Sequence, residues 1–190
     1  MSFTAQPNGP RGLTPLKAQS GTPARSNTYQ ILGTYAVKLY SGQPVALDAN
    51  GQIVALTDED TIVAGVFDGV EYVDAQGDIK FSPYWPAPGA IATGSTVKAR
   101  VYDNADELFL IKSDLDLTQD DVGKYFQFDT AAGTGGDDTT GKSNLSLDSV
   151  TANAAATSRQ VVLRGISDRP GSVQDAIVQF VNPRFAGPIA

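Results

Sequence analysis

Carboxylates are the main acid–base groups this sequence offers: it has 21 Asp and Glu but neither His nor Cys. Without His, the usual proton-transfer group near neutral pH and the commonest transition-metal ligand are missing. Without Cys there is no thiol nucleophile, thiolate metal site or disulfide framework. The acids cluster as Asp58-Glu59-Asp60, Asp103/Asp106/Glu107, Asp114/Asp116, Asp120-Asp121 and Asp137-Asp138. A glycosidase needs two carboxylates roughly 5–9.5 Å apart across a cleft, one of them with a raised pKa. Adjacent acids in turn segments are instead the ordinary residues of solvated turns. Asp103-Asn104-Ala105-Asp106-Glu107 lacks the alternating spacing and distal Glu of a calcium loop. Gly136–Ser143 reads G-x-x-x-x-G-K-S letter for letter. Two Asp residues lie in its would-be phosphate cradle, no buried strand precedes it and no helix pattern follows. The expectation is a non-enzymatic chain with no cofactor and no metal.

Charge narrows the partner. The first 47 residues hold Arg11, Lys17, Arg25 and Lys38 and no acid, while the remainder carries 10 basic and 21 acidic side chains. An acidic body is a poor partner for phosphate backbones, so nucleic acid is not expected. A sparsely basic, acid-free beginning suits docking onto a protein surface. No apolar run approaches 18 residues, so no membrane-spanning helix is expected. The start, Met-Ser-Phe-Thr-Ala-Gln-Pro, has no apolar export core, so classical secretion is not expected.

The elements that would hold these groups are short. Gly and Pro together number 30 in 190 residues, which favours many turns over long helices. Residues 1–27 carry only Phe3, Leu13 and Leu16 as sizeable apolar side chains and are expected to form an extended N-terminal arm. A single domain follows over 28–190, mainly β, an antiparallel barrel or sandwich of short hairpins. Asn50-Gly51 is expected to be a two-residue turn in a hairpin over Gln43–Leu56, pairing Leu47 with Val54 and Val45 with Leu56. Strands are also expected at Ile62–Phe67, ending at Asp68-Gly69, and at Val70–Val73 and Ile79–Phe81 around a turn at 74–77. Further strands are expected at Thr96–Tyr102, Leu108–Lys112, Tyr125–Phe128, Gln160–Ile166 and Ala176–Asn182. Thr118–Gly123 reads as one capped helical turn. Residues 130–144 read as a mobile loop, and the tail from 183 as extended.

Tyr84 and Trp85 sit in Pro83-Tyr84-Trp85-Pro86-Ala87-Pro88-Gly89, where three prolines exclude a strand interior. Their rings suit either a partner contact or the domain's own core, and Phe185 suits burial against a neighbouring chain. Arg11, Lys17, Arg25, Tyr84, Trp85 and Phe185 are the candidate partner contacts.

The block Gly42-Gln43-Pro44-Val45-Ala46-Leu47-Asp48-Ala49-Asn50-Gly51-Gln52-Ile53-Val54, followed by Ile62-Val63-Ala64-Gly65-Val66-Phe67, resembles the head decoration (cement) proteins of tailed bacteriophages. The Gly-rich loop with Ser146-Leu147-Asp148, and the runs Val161–Ile166 and Ile177–Asn182, are similar to small phage virion proteins. The resemblance is carried by β-patterns over most of 30–182 and brings no catalytic residue. It implies an oligomeric, preferentially trimeric β-barrel on the capsid exterior, assembled in the host cytoplasm. Its partner would be the major capsid protein, with capsomers bridged and the arm as a clamp. A tail, fibre or baseplate component, or a carbohydrate-binding module using Tyr84 and Trp85, is the alternative reading.

Overall fold

The computed structural model describes residues 12–57, 62–86, 91–92, 95–113, 116–128, 135–147, 160–167, 175–181 and 183–184. In chain order the strands are β1 (Thr14–Ala18), β2 (Ser26–Ile31), β3 (Leu39–Tyr40), β4 (Pro44–Leu47), β5 (Ile53–Ala55), β6 (Gly65–Val73), β7 (Ile79–Ser82) and β8 (Tyr84–Trp85). They continue as β9 (Val97–Tyr102), β10 (Glu107–Lys112), β11 (Tyr125–Phe126), β12 (Gly136–Asp137), β13 (Lys142–Ser143), β14 (Val161–Ser167) and β15 (Asp175–Phe180). One antiparallel sheet has the order β1-β10-β15-β14-β11. The second has the order β2-β9-β6-β4-β5, with β7 also on β6, and two-stranded ribbons β3-β8 and β12-β13 complete the fold. The architecture is mainly β and sandwich-like, without a closed barrel. Among the described residues no helix is long and apolar enough to cross a membrane.

Two cores explain the layering. Phe109, Ile111, Phe126, Leu147, Val161, Leu163, Val178 and Phe180 pack with Ala46, Leu56 and Val66 between the two sheets. Val45, Ile53, Phe67, Val97, Ala99 and Val101 pack with Trp85 and Leu39 on the far face of the second sheet. That sheet is therefore apolar on both faces where β4, β5 and β6 cross it. β9 keeps the expected alternation, with Val97, Ala99 and Val101 buried and Lys98 and Arg100 outside.

The double burial leaves the register of the first hairpin to its turn. Its register pairs Val45 with Ala55, Ala46 with Val54 and Leu47 with Ile53, one residue away from the expected pairing. A one-residue slip exchanges the faces of a strand. The sequence pattern tolerates either register because Val45 and Ile53 enter one core while Ala46 and Leu56 enter the other. The turn chemistry settles it. Asp48 Oδ1 accepts from the amides of Asn50 and Gln52 at 2.9 and 2.8 Å, and Asp48 N donates to Gln52 O at 2.9 Å. The loop is thus Ala49-Asn50-Gly51, with Gly51 at φ 77, a three-residue bulged loop and not a two-residue turn. Asp74-Ala75-Gln76-Gly77-Asp78 repeats the device: Asp74 Oδ1 takes the Gln76 and Asp78 amides, and Gly77 has φ 91. Asp48→Ala is expected to lower stability by about 1–2 kcal/mol, since two side-chain-to-backbone bonds are lost. Urea denaturation reads this directly, and an unmoved midpoint would remove the turn from the account.

Other expectations are revised. Asp68-Gly69 does not end a strand, because β6 runs through it with a bulge between Phe67 and Gly69 against β9. Tyr84-Trp85 is a two-residue strand paired with Leu39-Tyr40, bounded by Pro83 and Pro86, so proline limits the ladder without preventing it. Part of the expected arm belongs to the sheet: β1 pairs with β10, Leu13 and Ala18 are buried, and Leu13 N donates to Gly42 O at 2.8 Å. Residues 1–11 lie outside the described residues, as do 130–134 of the expected loop and 185–190 of the expected tail. From Gly135 onward the loop segment is a docked hairpin. A Cβ on Gly136 would lie 2.2 Å from the Tyr40 ring, so only glycine lets β12 approach so closely. The turn at 118–123 forms as expected, with Thr118 N and Oγ1 both donating to Asp121 Oδ2 at 2.8 Å.

Candidate functional site

The described carboxylates are mostly engaged in holding turns and strands. Asp137 accepts from Thr139 N at 2.8 Å and Thr140 Oγ1 at 3.0 Å. The literal P-loop match is therefore a β-hairpin whose Asp ties its own turn, and its Lys142-Ser143 end is strand β13 where a P-loop would open its helix. Asp138 accepts from Lys38 Nζ at 2.6 Å and Tyr40 Oη at 2.7 Å, and Tyr40 stacks on Tyr84 at 5.8 Å and 13°. Asp103 takes both its oxygens to Asn27 Nδ2 and one to the Tyr29 hydroxyl.

The bonds to Asp137 and Asp138 stabilise their ionised forms. Asp138 lies below the usual carboxylate range, mainly through Lys38. Asp74 is lowered chiefly by the Asp78 amide, and Asp137 by the Thr139 amide. Asp121 is lowered to about 2, mainly by Lys124 at 2.7 Å. Tyr29 moves the other way, pushed up by burial and by its bond to Asp103. A general acid near neutral pH needs a raised carboxyl, and among the described residues Glu107 is the one whose shift is upward, through burial and then Asp103. Glu107 is 1% exposed, so its carboxyl is shielded from solvent. Among the described residues no group of three or more acids could hold a metal ion. Asp58-Glu59-Asp60 and Asp114 lie outside the described residues.

The candidate contact residues disperse. Lys17 is exposed on β1 and Arg25 is exposed just before β2, whereas Arg11 and Phe185 lie outside the described residues. Tyr84 is half-buried. Trp85 is fully buried, its Nε1 donating to Tyr35 O at 3.0 Å and its ring meeting Tyr72 edge-on at 6.0 Å. Its place in the domain's own core answers the question the sequence left open.

A surface that sequence reasoning missed lies on β7. Ile79 and Phe81 are 63% and 72% exposed, and their register partners on β6 are Val73 and Glu71. Glu71 in turn stands opposite Lys98 of β9, bonded at 3.2 Å, and Arg100 reaches Asp68 at 3.6 Å. The result is an apolar strip of Ile79, Phe81 and Val73 bordered by ion pairs. The alternation Ile79-Lys80-Phe81-Ser82 signals a two-faced strand, but it does not say which face meets water. The opposite face of β6 turns Val70 and Tyr72 toward Trp85, which leaves the Ile79/Phe81 side outward. Set against protein-family models, curated proteins and solved structures, the chain matches none of them.

Proposed function

We propose that this chain is a structural subunit of a tailed-phage virion, a decoration protein that binds the outside of the assembled capsid and bridges capsomers. It acts as a homotrimer on the major capsid protein, without catalysis. The observation that carries the reading is the exposed strip of Ile79 and Phe81 rimmed by the Glu71–Lys98 and Arg100–Asp68 pairs. Isolated apolar residues on a surface are ordinary, but an apolar centre with a charged rim is the composition of a protein interface. The likeness in sequence pattern to head decoration proteins supplies the identity of the partner.

Binding that occurs only on the assembled shell stabilises that shell by mass action. Residues 1–11, with Arg11, provide the second contact, and β1 ties that segment to the body. The carbohydrate-binding reading loses Trp85 as a stacking platform, because that ring is inside.

Cosedimentation with assembled capsids tests the proposal. Phe81→Ser and removal of residues 1–11 are each expected to weaken binding by at least about tenfold. Truncation must stop at residue 11, because removal through residue 27 would delete β1. Wild-type affinity in both variants would overturn the reading, and a label found on tails or baseplates would favour those components instead.

A further inference from the structure

The outward face of the first sheet carries a preorganised cation that the proposed docking strip does not use. Arg164 is the extra residue at a bulge in β14, where the register against β15 shifts between Leu163 and Gly165. Bulges re-aim side chains. Here the Arg164 Nε donates to Gln179 Oε1 at 2.8 Å. Gln179 is itself only 7% exposed, and its amide has one possible orientation: Oε1 also accepts from Gln19 Nε2 at 3.0 Å, while Nε2 donates to Ala105 O at 3.1 Å. A flipped amide would place a donor against two donors and an acceptor against a carbonyl. The buried Gln179 therefore fixes the plane of the guanidinium, and among the described residues nothing takes the donors on the two terminal nitrogens of Arg164.

Arg164 lines an open pocket of about 420 Å³. Its wall includes Tyr125 and Val162, which with Gln179 are successive register partners across β11, β14 and β15 and so share one face. Asp106 stands at the same pocket. The combination selects among anions. A planar guanidinium fork fits a carboxylate bidentately. A dianionic phosphate would meet one cation and the repulsion of Asp106, whereas a monoanion keeps the pairing with less of that penalty. Tyr125 and Val162 offer an apolar wall to the carbon atoms that bear the carboxylate. The volume suits one or two residues of a peptide.

We propose that Arg164, held by Gln179, is a carboxylate-binding subsite that takes a peptide-borne carboxylate, from either an acidic side chain or a chain terminus. The site stands independently of the virion assignment, because its test uses small probes and no capsid. Isotope-labelled full-length protein is titrated at constant ionic strength while the Arg164 Nε–H and Gln179 side-chain amide resonances are followed. The probes are N-acetyl-aspartate N-methylamide, N-acetylalanine and the neutral N-acetyl-asparagine N-methylamide.

Saturable shifts in the millimolar range are expected with a carboxylate probe and not with the neutral amide. The aspartate probe alone responding assigns a side chain, N-acetylalanine alone a chain terminus, and both the carboxylate class. Arg164→Gln is expected to weaken binding more than about tenfold, and Arg164→Lys to recover only part of it because the fork is lost. Arg164 is exposed, so both variants keep the fold, which their spectra check. No saturable shift with either carboxylate, an equal response to the neutral amide, or unchanged binding in Arg164→Gln would each overturn the proposal.

Discussion

Trp85→Ala is expected to cost about 3–5 kcal/mol of folding stability, the range for deleting a large buried aromatic. The ring is fully buried among Leu39, Val45, Phe67, Val70 and Val97. Its removal leaves a cavity whose walls are β-strands, which cannot collapse inward without breaking ladders. It also leaves the Tyr35 carbonyl without the indole donor it accepts at 3.0 Å. Trp85→Phe keeps part of the volume and should cost less. Because this is the only Trp of the chain, its fluorescence reports wild-type unfolding, while far-UV circular dichroism reads wild type and the Trp-free variants alike. Emission should be blue-shifted in the native protein and move red on urea unfolding. A Trp85→Ala protein with unchanged stability but lost partner binding would return the residue to the surface role the sequence allowed.

Glu107→Gln is expected to stabilise the protein above the ordinary glutamate range and to flatten its dependence on pH. The Glu107 side chain points with Phe109 and Ile111 to the inner face of β10, 1% exposed, and neither carboxylate oxygen has a hydrogen-bond partner. Burial raises its pKa, and the neighbouring Asp103 raises it further. In the unfolded chain the same group ionises in the normal range. Between the two values the folded state binds one proton more, so stability falls as pH rises. The contribution is complete below the unfolded value and is lost as pH climbs through the folded one. The amide removes the buried charge and is expected to gain about 1–3 kcal/mol at pH 8, with little change at pH 4. Urea midpoints at pH 4, 6 and 8 decide it. Parallel profiles for wild type and Glu107→Gln would show that Glu107 is not the group responsible.

Local chemistry was legible where a residue type forces a backbone shape. The capped turn at Thr118, the alternation of Val97–Tyr102 and the turn glycines at 51 and 77 follow from capping, pleat period and positive φ. Composition narrowed the chemistry as well, since a chain without His or Cys has few ways to move a proton or bind a soft metal.

What the tertiary structure alone decided concerns faces and neighbours. The register of the 43–56 hairpin depended on Asp48 tying the loop, because both faces of β4 are buried and either pairing hides apolar side chains. The turn after Tyr102 reads locally like a hairpin, yet β9 and β10 belong to different sheets. Ile79 and Phe81 lie outward on β7, and Trp85 takes the inner of the two places its ring suited. Arg164 acquired a fixed guanidinium only because Gln179 accepts from its Nε, and Gln179 is itself held by Gln19 and Ala105 from distant parts of the chain. The sequence by itself determined a β-built, acid-rich chain lacking His and Cys, because those properties are set by residue type and short-range geometry. Which surfaces are left open was settled by long-range packing, since burial depends on what lies opposite a side chain and not on the side chain itself.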